Sequence, residues 1–261
     1  MYKNDLIQEL IPLAKSYGLR EFGVCYIYPN ENTTSSIIFN KLEYSFHKKS
    51  WKAIEANPSN SLRTKKIHPN TVTVGIYEMQ SSNSSDALAM NIFCFPDFVK
   101  WNGVKNLFGV DAFSSIEFGF NPQVVKNGSS DSTEVDVYIN KSIICECKLT
   151  EEGFTQKIKK TVELYDNFKK VFHTDELIQN ENTYSNNQLI RNILAAYQHR
   201  CRFVLICDMR RPDLAKSFQE TVRCIIDIDL RMRCEIICWQ DISKFCGAEL
   251  QLFLKEKYGI C

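Results

Sequence analysis

The chain has 261 residues, of which 44% are hydrophobic and 24% charged, with a formal net charge of +1. That length buries a proper core and that balance is globular, while near-neutrality counts against a dedicated nonspecific nucleic-acid coat. No apolar run approaches the ~20 residues that span a bilayer, and Met1-Tyr2-Lys3-Asn4-Asp5-Leu6 lacks the basic-then-apolar layout of a secretory signal. The expectation is a cytoplasmic chain with no membrane association.

Along the chain, Leu6, Ile7, Leu10, Ile11, Leu13 and Ala14 recur at helical spacing through 4–17, with Pro12 weakening the middle and Gly18 ending the run. Residues 21–28 read as a strand closed by Pro29-Asn30-Glu31-Asn32. From 47 to 68, Lys48, Lys49, Lys52, Arg63, Lys65 and Lys66 stand against Glu55 alone. This reads equally as a solvated face or as a phosphate-backbone contact in which Trp51 stacks or merely packs. The polar run 80–85 marks a boundary, giving an N-terminal extension at 1–83 and a main domain at 84–261. Within the latter, 84–98 reads as helix and 113–120 as strand. Further on, 151–184 reads as a charged, mostly helical insertion, 186–199 as helix and 202–207 as strand. Pro212 and Asp213 open another helix, 234–239 is a strand, and an amphipathic helix covers 241–257.

The most informative stretch is Glu134-Val135-Asp136-Val137-Tyr138-Ile139, a short polar turn, then Ile143-Ile144-Cys145-Glu146-Cys147-Lys148. Strand side chains alternate, so Glu134, Asp136 and Tyr138 share a face, as do Ile144, Glu146 and Lys148. A three-residue loop of Asn140, Lys141 and Ser142 would set Asp136 opposite Glu146 and Glu134 opposite Lys148. A two-residue loop would instead put the two acids on opposite faces. Adjacent carboxylates repel unless a cation sits between them, and hard oxygen ligands suit Mg²⁺ or Mn²⁺. A lysine on that face can orient or deprotonate a water and stabilise charge on a phosphoryl oxygen. The bland alternative is a surface hairpin with a Glu134–Lys148 ion pair. The apolar run Ser142-Ile143-Ile144-Cys145 argues for a strand covered on both faces, where acids need a partner.

Asp136, a gap of nine residues, then Glu146-Cys147-Lys148 resembles the signature of the PD-(D/E)XK nuclease superfamily. The residue before Asp136 is Val rather than Pro. The order helix, three strands, helix, strand is similar as well. Ser84-Ser85-Asp86-Ala87-Leu88 and Asn187-Gln188-Leu189-Ile190-Arg191-Asn192 resemble segments of its bacterial restriction-endonuclease-like branch. The resemblance covers about 84–240. It implies an α/β fold with a restriction-endonuclease-like core, a central mixed sheet flanked by helices, here behind an N-terminal α+β extension. It implies that Asp136, Glu146 and the backbone carbonyl of Cys147 hold the metal, and that Lys148 positions the attacking water. Glu117, a lone acid among Ile116, Phe118 and Phe120, would complete the metal site, and Gln188 and Arg191, three apart on a helix, would face the scissile phosphate.

Eleven cysteines and four histidines remain. The cysteines sit in apolar segments without a Cys-x-x-Cys, so free core thiols are favoured over an iron–sulfur or zinc site. The histidines show no catalytic spacing. The expected function is a Mg²⁺-dependent nuclease acting on DNA in restriction or defence, with a homodimer as one route to paired cuts. Left open are a catalytically silent module that binds nucleic acid or protein, and an RNA- or structure-specific nuclease.

Overall fold

The computed structural model describes residues 2–23, 26–27, 36–67 and 76–261. In chain order its main helices are α1 (Tyr2–Phe22), α2 (Lys48–Ala56), α3 (Ser85–Phe93), α4 (Asn187–His199), α5 (Pro212–Val222) and α6 (Ala248–Tyr258). Its central strands are β1 (Ile116–Phe120), β2 (Val135–Ile139), β3 (Ile143–Cys147), β4 (Arg202–Cys207) and β5 (Cys234–Cys238). Contacts divide the protein into one unit of Met1–Phe113, Asp208–Arg210 and Cys238–Cys261, and another of Ser114–Cys207 and Arg211–Ile237. This division falls at 113/114, whereas the composition shift lies at 83/84, because α3 packs with α2 in the first unit.

The fold is α/β. The second unit is built on a five-stranded sheet in the order β5-β4-β3-β2-β1. Strands β1, β2 and β3 pair antiparallel, and β4 then joins β3 in parallel through the crossover helix α4. A parallel neighbour needs such a crossover, and it leaves β3 in the middle of the sheet. All five residues of β3 are buried, so its apolar run is covered on both faces, as the sequence suggested. The 3.6-residue spacing of Leu189, Ile193 and Ala196 turns one face of α4 into the core beside Ile144, Phe203 and Leu205.

In the first unit, α1 packs along α6 and buries Leu6, Leu10, Ala14 and Tyr17. Asn91 of α3 pins the segment ahead of α2: its side chain donates to the Ser45 carbonyl at 3.0 Å and accepts from the His47 amide at 2.6 Å. The Ser84 hydroxyl caps α3 by accepting from the Ala87 amide.

Several element boundaries differ from the sequence reading. Helix α1 runs through Gly18 to Phe22, because packing on α6 outweighs the cost of Pro12 and Gly18. It stops at Gly23, whose φ of +76° only glycine adopts easily. The strand expected over 21–28 is therefore limited to Tyr26–Ile27, and the turn at 29–32 lies outside the described residues, as do Cys25 and His68. The helix expected over 84–98 ends at Phe93. Segment 151–184 is not mostly helical: it holds the short helices Lys159–Val162 and Phe168–Val171, and Lys157–Ile158 pairs with Thr183–Tyr184. The helix expected over 241–257 is two, Trp239–Lys244 and α6, separated at Gly247, where a Cβ would come within 3.2 Å of the Trp101 ring.

Candidate active site

The site begins with the turn between β2 and β3. Asn140 and Lys141 both adopt left-handed backbone, with φ of +52° and +54°, and the Ser142 amide donates to the Ile139 carbonyl at 2.9 Å. The loop is thus three residues long. The pairs Val137–Cys145, Tyr138–Ile144 and Ile139–Ile143 follow from it, and continuing that register sets Asp136 opposite Glu146. Past Val137 the strands are joined through a side chain, since the Cys147 amide donates to Asp136 Oδ2 at 2.7 Å.

Glu146 is only 2% exposed and Lys148 6%. Neither could be buried alone, and each is matched. Glu146 Oε1 lies 2.8 Å from Lys148 Nζ, and Glu146 Oε2 accepts from Asn192 Nδ2 at 2.6 Å. Lys148 Nζ also stands over the Phe154 ring, 5.8 Å from its centroid. Burial pulls the Lys148 pKa down, but the carboxylates of Glu146, Glu151 and Asp136 outweigh it and hold the ammonium above the ordinary lysine value.

Helix α4 supplies the far wall. Gln188, Arg191 and Asn192 fall at i, i+3 and i+4 and so share one face. The buried Gln188 Oε1 and Arg191 Nε make no hydrogen bond. Arg191 Nη2 donates to the Glu134 carbonyl and to Asn192 Oδ1, both at 3.2 Å, which ties the start of β2 to the residue that holds Glu146. Glu134 itself sits exposed just before β2. Gln198 serves structure, accepting from the Val125 amide and donating to the Gln123 carbonyl.

Glu117 is exposed and pairs with Tyr138, on the same face as Asp136 but two residues nearer the turn, about 7 Å along the strand. The same register puts Gly119, with φ of +65°, across from Asp136. The structure therefore brings Asp136, Glu146, Lys148, Gln188 and Arg191 to one end of the sheet and leaves Glu117 at a distance from them. Among the described residues, no group of three or more His, Cys, Asp or Glu is arranged to hold a metal ion. None of the ten described cysteines forms a disulfide.

A family model described as "Restriction Endonuclease associating with ARP" matches residues 24–259. The chain belongs to that family. No curated protein and no solved structure matches it. The family match runs through both units, so the first unit is as much a part of the family as the sheet that carries the acids. Among the described residues, no helix is long and apolar enough to cross a membrane.

Sequence reasoning missed three members of this constellation. Asn192 was legible as a polar residue one helical turn beyond Gln188. Glu151 accepts from the Leu149 amide at 2.6 Å just after Lys148, and only the folded turn reveals this. Arg211, fully buried, is paired with Asp213 at 2.7 Å and donates to the carbonyls of Leu149 and Glu151 at 3.0 and 3.1 Å. It clamps the chain leaving Lys148.

Proposed function

We propose that the protein is a metal-dependent nuclease of the PD-(D/E)XK type that hydrolyses phosphodiester bonds in DNA, in a restriction or defence setting. The observation that carries this reading is the opposition of Asp136 to Glu146 on one sheet face, with the Lys148 ammonium 2.8 Å from Glu146 Oε1. Membership of a family described as restriction endonucleases supports it, and an association with ARP is a further expectation of that membership.

The donor chemistry fits Mg²⁺ or Mn²⁺, because both acids present hard oxygens and Glu146 already accommodates a positive charge in Lys148. Asp136, Glu146 and the Cys147 carbonyl would hold the ion, which when bound supplies Lewis-acid stabilisation of charge developing on the phosphate. Lys148 keeps its proton, so its role is to donate: it orients the attacking water and hydrogen-bonds a non-bridging oxygen. Water oxygen bonds to phosphorus as the P–O ester bond in line with it breaks; one water proton passes to solvent, and the leaving oxygen takes up a proton from solvent. Gln188, half-buried at the head of α4 with an amide oxygen that makes no hydrogen bond, would meet the substrate. Arg191 acts through Asn192, and Glu117 would tune the field around Asp136 rather than ligate.

Paired cuts in a duplex would call for a homodimer. A second reading, a catalytically silent binding module on the same fold, is favoured by the absence of a third acidic or imidazole donor among the described residues. The experiment is cleavage of supercoiled plasmid, linear duplex, single-stranded DNA and RNA with Mg²⁺, Mn²⁺ or EDTA. Glu146→Ala and Lys148→Ala run beside wild type. Metal-dependent cutting lost in both variants supports the nuclease, and RNA cut in preference to DNA moves the substrate class. Binding without cutting by all three proteins supports the silent module.

A further inference from the structure

The first unit carries a cleft of about 590 Å³ that the nuclease reading does not use. That volume lies within the ordinary range of ligand sites. Its walls are aromatic. Phe22 and Tyr44 stack with centroids 4.1 Å apart, Phe46 and Trp51 stack at 5.2 Å, and Tyr17 stands edge-on to Phe253 at 5.5 Å. The acids lining it are Glu21, Glu43, Glu55, Glu249 and Glu256, with Lys48 the sole lysine or arginine in the lining. They come from α1, the turn Leu42–Ser45, α2 and α6, so the carboxylates are spread around the opening rather than gathered at one point, and one of them, Glu249, is paired with Lys49 outside the lining.

The protein's own cations show what these walls attract. Arg20 lies over the Tyr17 ring and bridges Glu21 and Glu256 at 2.9 and 2.7 Å. Lys41 lies over Tyr44, 5.4 Å from its centroid, and 3.7 Å from Glu43. Each is a charge over a ring face with a carboxylate beside it, the arrangement that binds ammonium and guanidinium groups. Nucleic acid is disfavoured here, because glutamates outnumber lysine and arginine five to one in the lining itself. Trp51, a candidate for base stacking in the sequence, instead packs on Phe46 in an acidic cleft.

We propose that this cleft is a docking site for a basic segment of a partner protein, which seats arginine or lysine side chains against the ring pairs and between the glutamates. Several cations carried on one backbone match carboxylates distributed over four elements better than a single small cation does. The site is independent of the catalytic reading.

The test is fluorescence anisotropy with the full chain and a labelled peptide of arginines spaced by glycine and serine, against the same peptide carrying citrulline. Saturable binding of one peptide per chain is expected, with the citrulline peptide at least about tenfold weaker. Glu43→Gln combined with Glu55→Gln, both at exposed positions, should weaken binding about five- to tenfold. Tyr44→Leu should weaken it a few-fold, a loss that charge alone would not produce, while Glu181→Gln in the other unit should change nothing. Unaltered thermal unfolding of the glutamine variants would attribute the losses to the cleft. Equal affinity for the citrulline peptide, an equal loss in Glu181→Gln, or no binding would overturn the proposal. So would spermine displacing the peptide at equal or lower concentration, single-stranded DNA binding that these variants abolish, or self-association that depends on Glu43 and Glu55.

Discussion

Two lysines among the described residues are withdrawn from water, and their surroundings drive them in opposite directions. Lys148, in the sheet unit, is 6% exposed among Glu146, Glu151 and Asp136, and its pKa is raised. Lys257, in the other unit, is wholly buried among aromatic rings. Its Nζ stands 4.8 Å from the Tyr258 centroid, 5.1 Å from that of Phe39, and donates to the Ser45 carbonyl. Burial lowers its pKa well below the ordinary value. Ring faces attract a cation, but a fraction of what a carboxylate supplies, so desolvation wins at Lys257 and loses at Lys148. A buried amine is therefore read from its partners rather than its depth. One is an ammonium stabilised by the acids around it, the other an amine whose protonation its surroundings disfavour.

The largest way to break this comparison is Glu146→Ala. It should cost cleavage ~10³-fold or more and destabilise the protein by ~3–5 kcal/mol, because Lys148 is left buried without its closest acid. Denaturant unfolding beside the cleavage assay measures both, and a variant as stable as wild type would sink the account of Lys148. Replacing the pair together, Glu146→Leu with Lys148→Met, should recover stability to within ~1 kcal/mol of wild type while leaving the protein inactive. Next comes Asn192→Leu, which removes the amide holding Glu146 Oε2. It should raise the Mg²⁺ needed for half-maximal cleavage ~10–100-fold, read from a metal titration, and a shift in maximal rate alone would speak against a positioning role.

A smaller effect of opposite sign is expected at Lys257. Its carbonyl partner also accepts from Asn91 at 3.0 Å, so Lys257→Met leaves Ser45 satisfied and should stabilise by ~1–3 kcal/mol in urea unfolding. The smallest effect is in pH. Lys257 has a folded pKa below its unfolded one, so its burial costs stability below the ordinary lysine value of 10.5 and stability should rise as pH climbs toward it. Lys148 has a raised pKa, so its contribution is complete below 10.5 and lost only as pH climbs through its higher folded value. Unfolding of wild type and Lys257→Met between pH 7 and 10 should show a slope in the former that flattens in the latter.

Much of the sheet was legible because alternation and turn chemistry are local. The run 143–147 announced a doubly covered strand, and of the two loop lengths open in the sequence the folded turn at Asn140 adopts the three-residue one that joins Asp136 to Glu146. Strand Arg202–Cys207 and the start of helix Pro212–Val222 were read correctly for the same reason. The limits of helices were less legible: α1 passes Gly18, and the last helix breaks at Gly247 against Trp101, since packing partners far along the chain decide where a helix may continue.

The sequence by itself determined that Glu146 and Lys148 share one face of a covered strand, because strand periodicity needs no distant partner, while the folded turn, three residues long, decided that Asp136 joins them. Only the tertiary structure decided what those groups do to one another. Asn192 lies 46 residues from Glu146 along the chain and Arg211 lies 62 from Leu149, and hydrogen bonds at that separation are set by how α4 and the chain after β4 come back onto the sheet. Glu117 illustrates the same limit from the other side. Its strand and face follow from alternation, but its level along the neighbouring strand, two residues away from Asp136, is fixed by the pairing of β1 with β2.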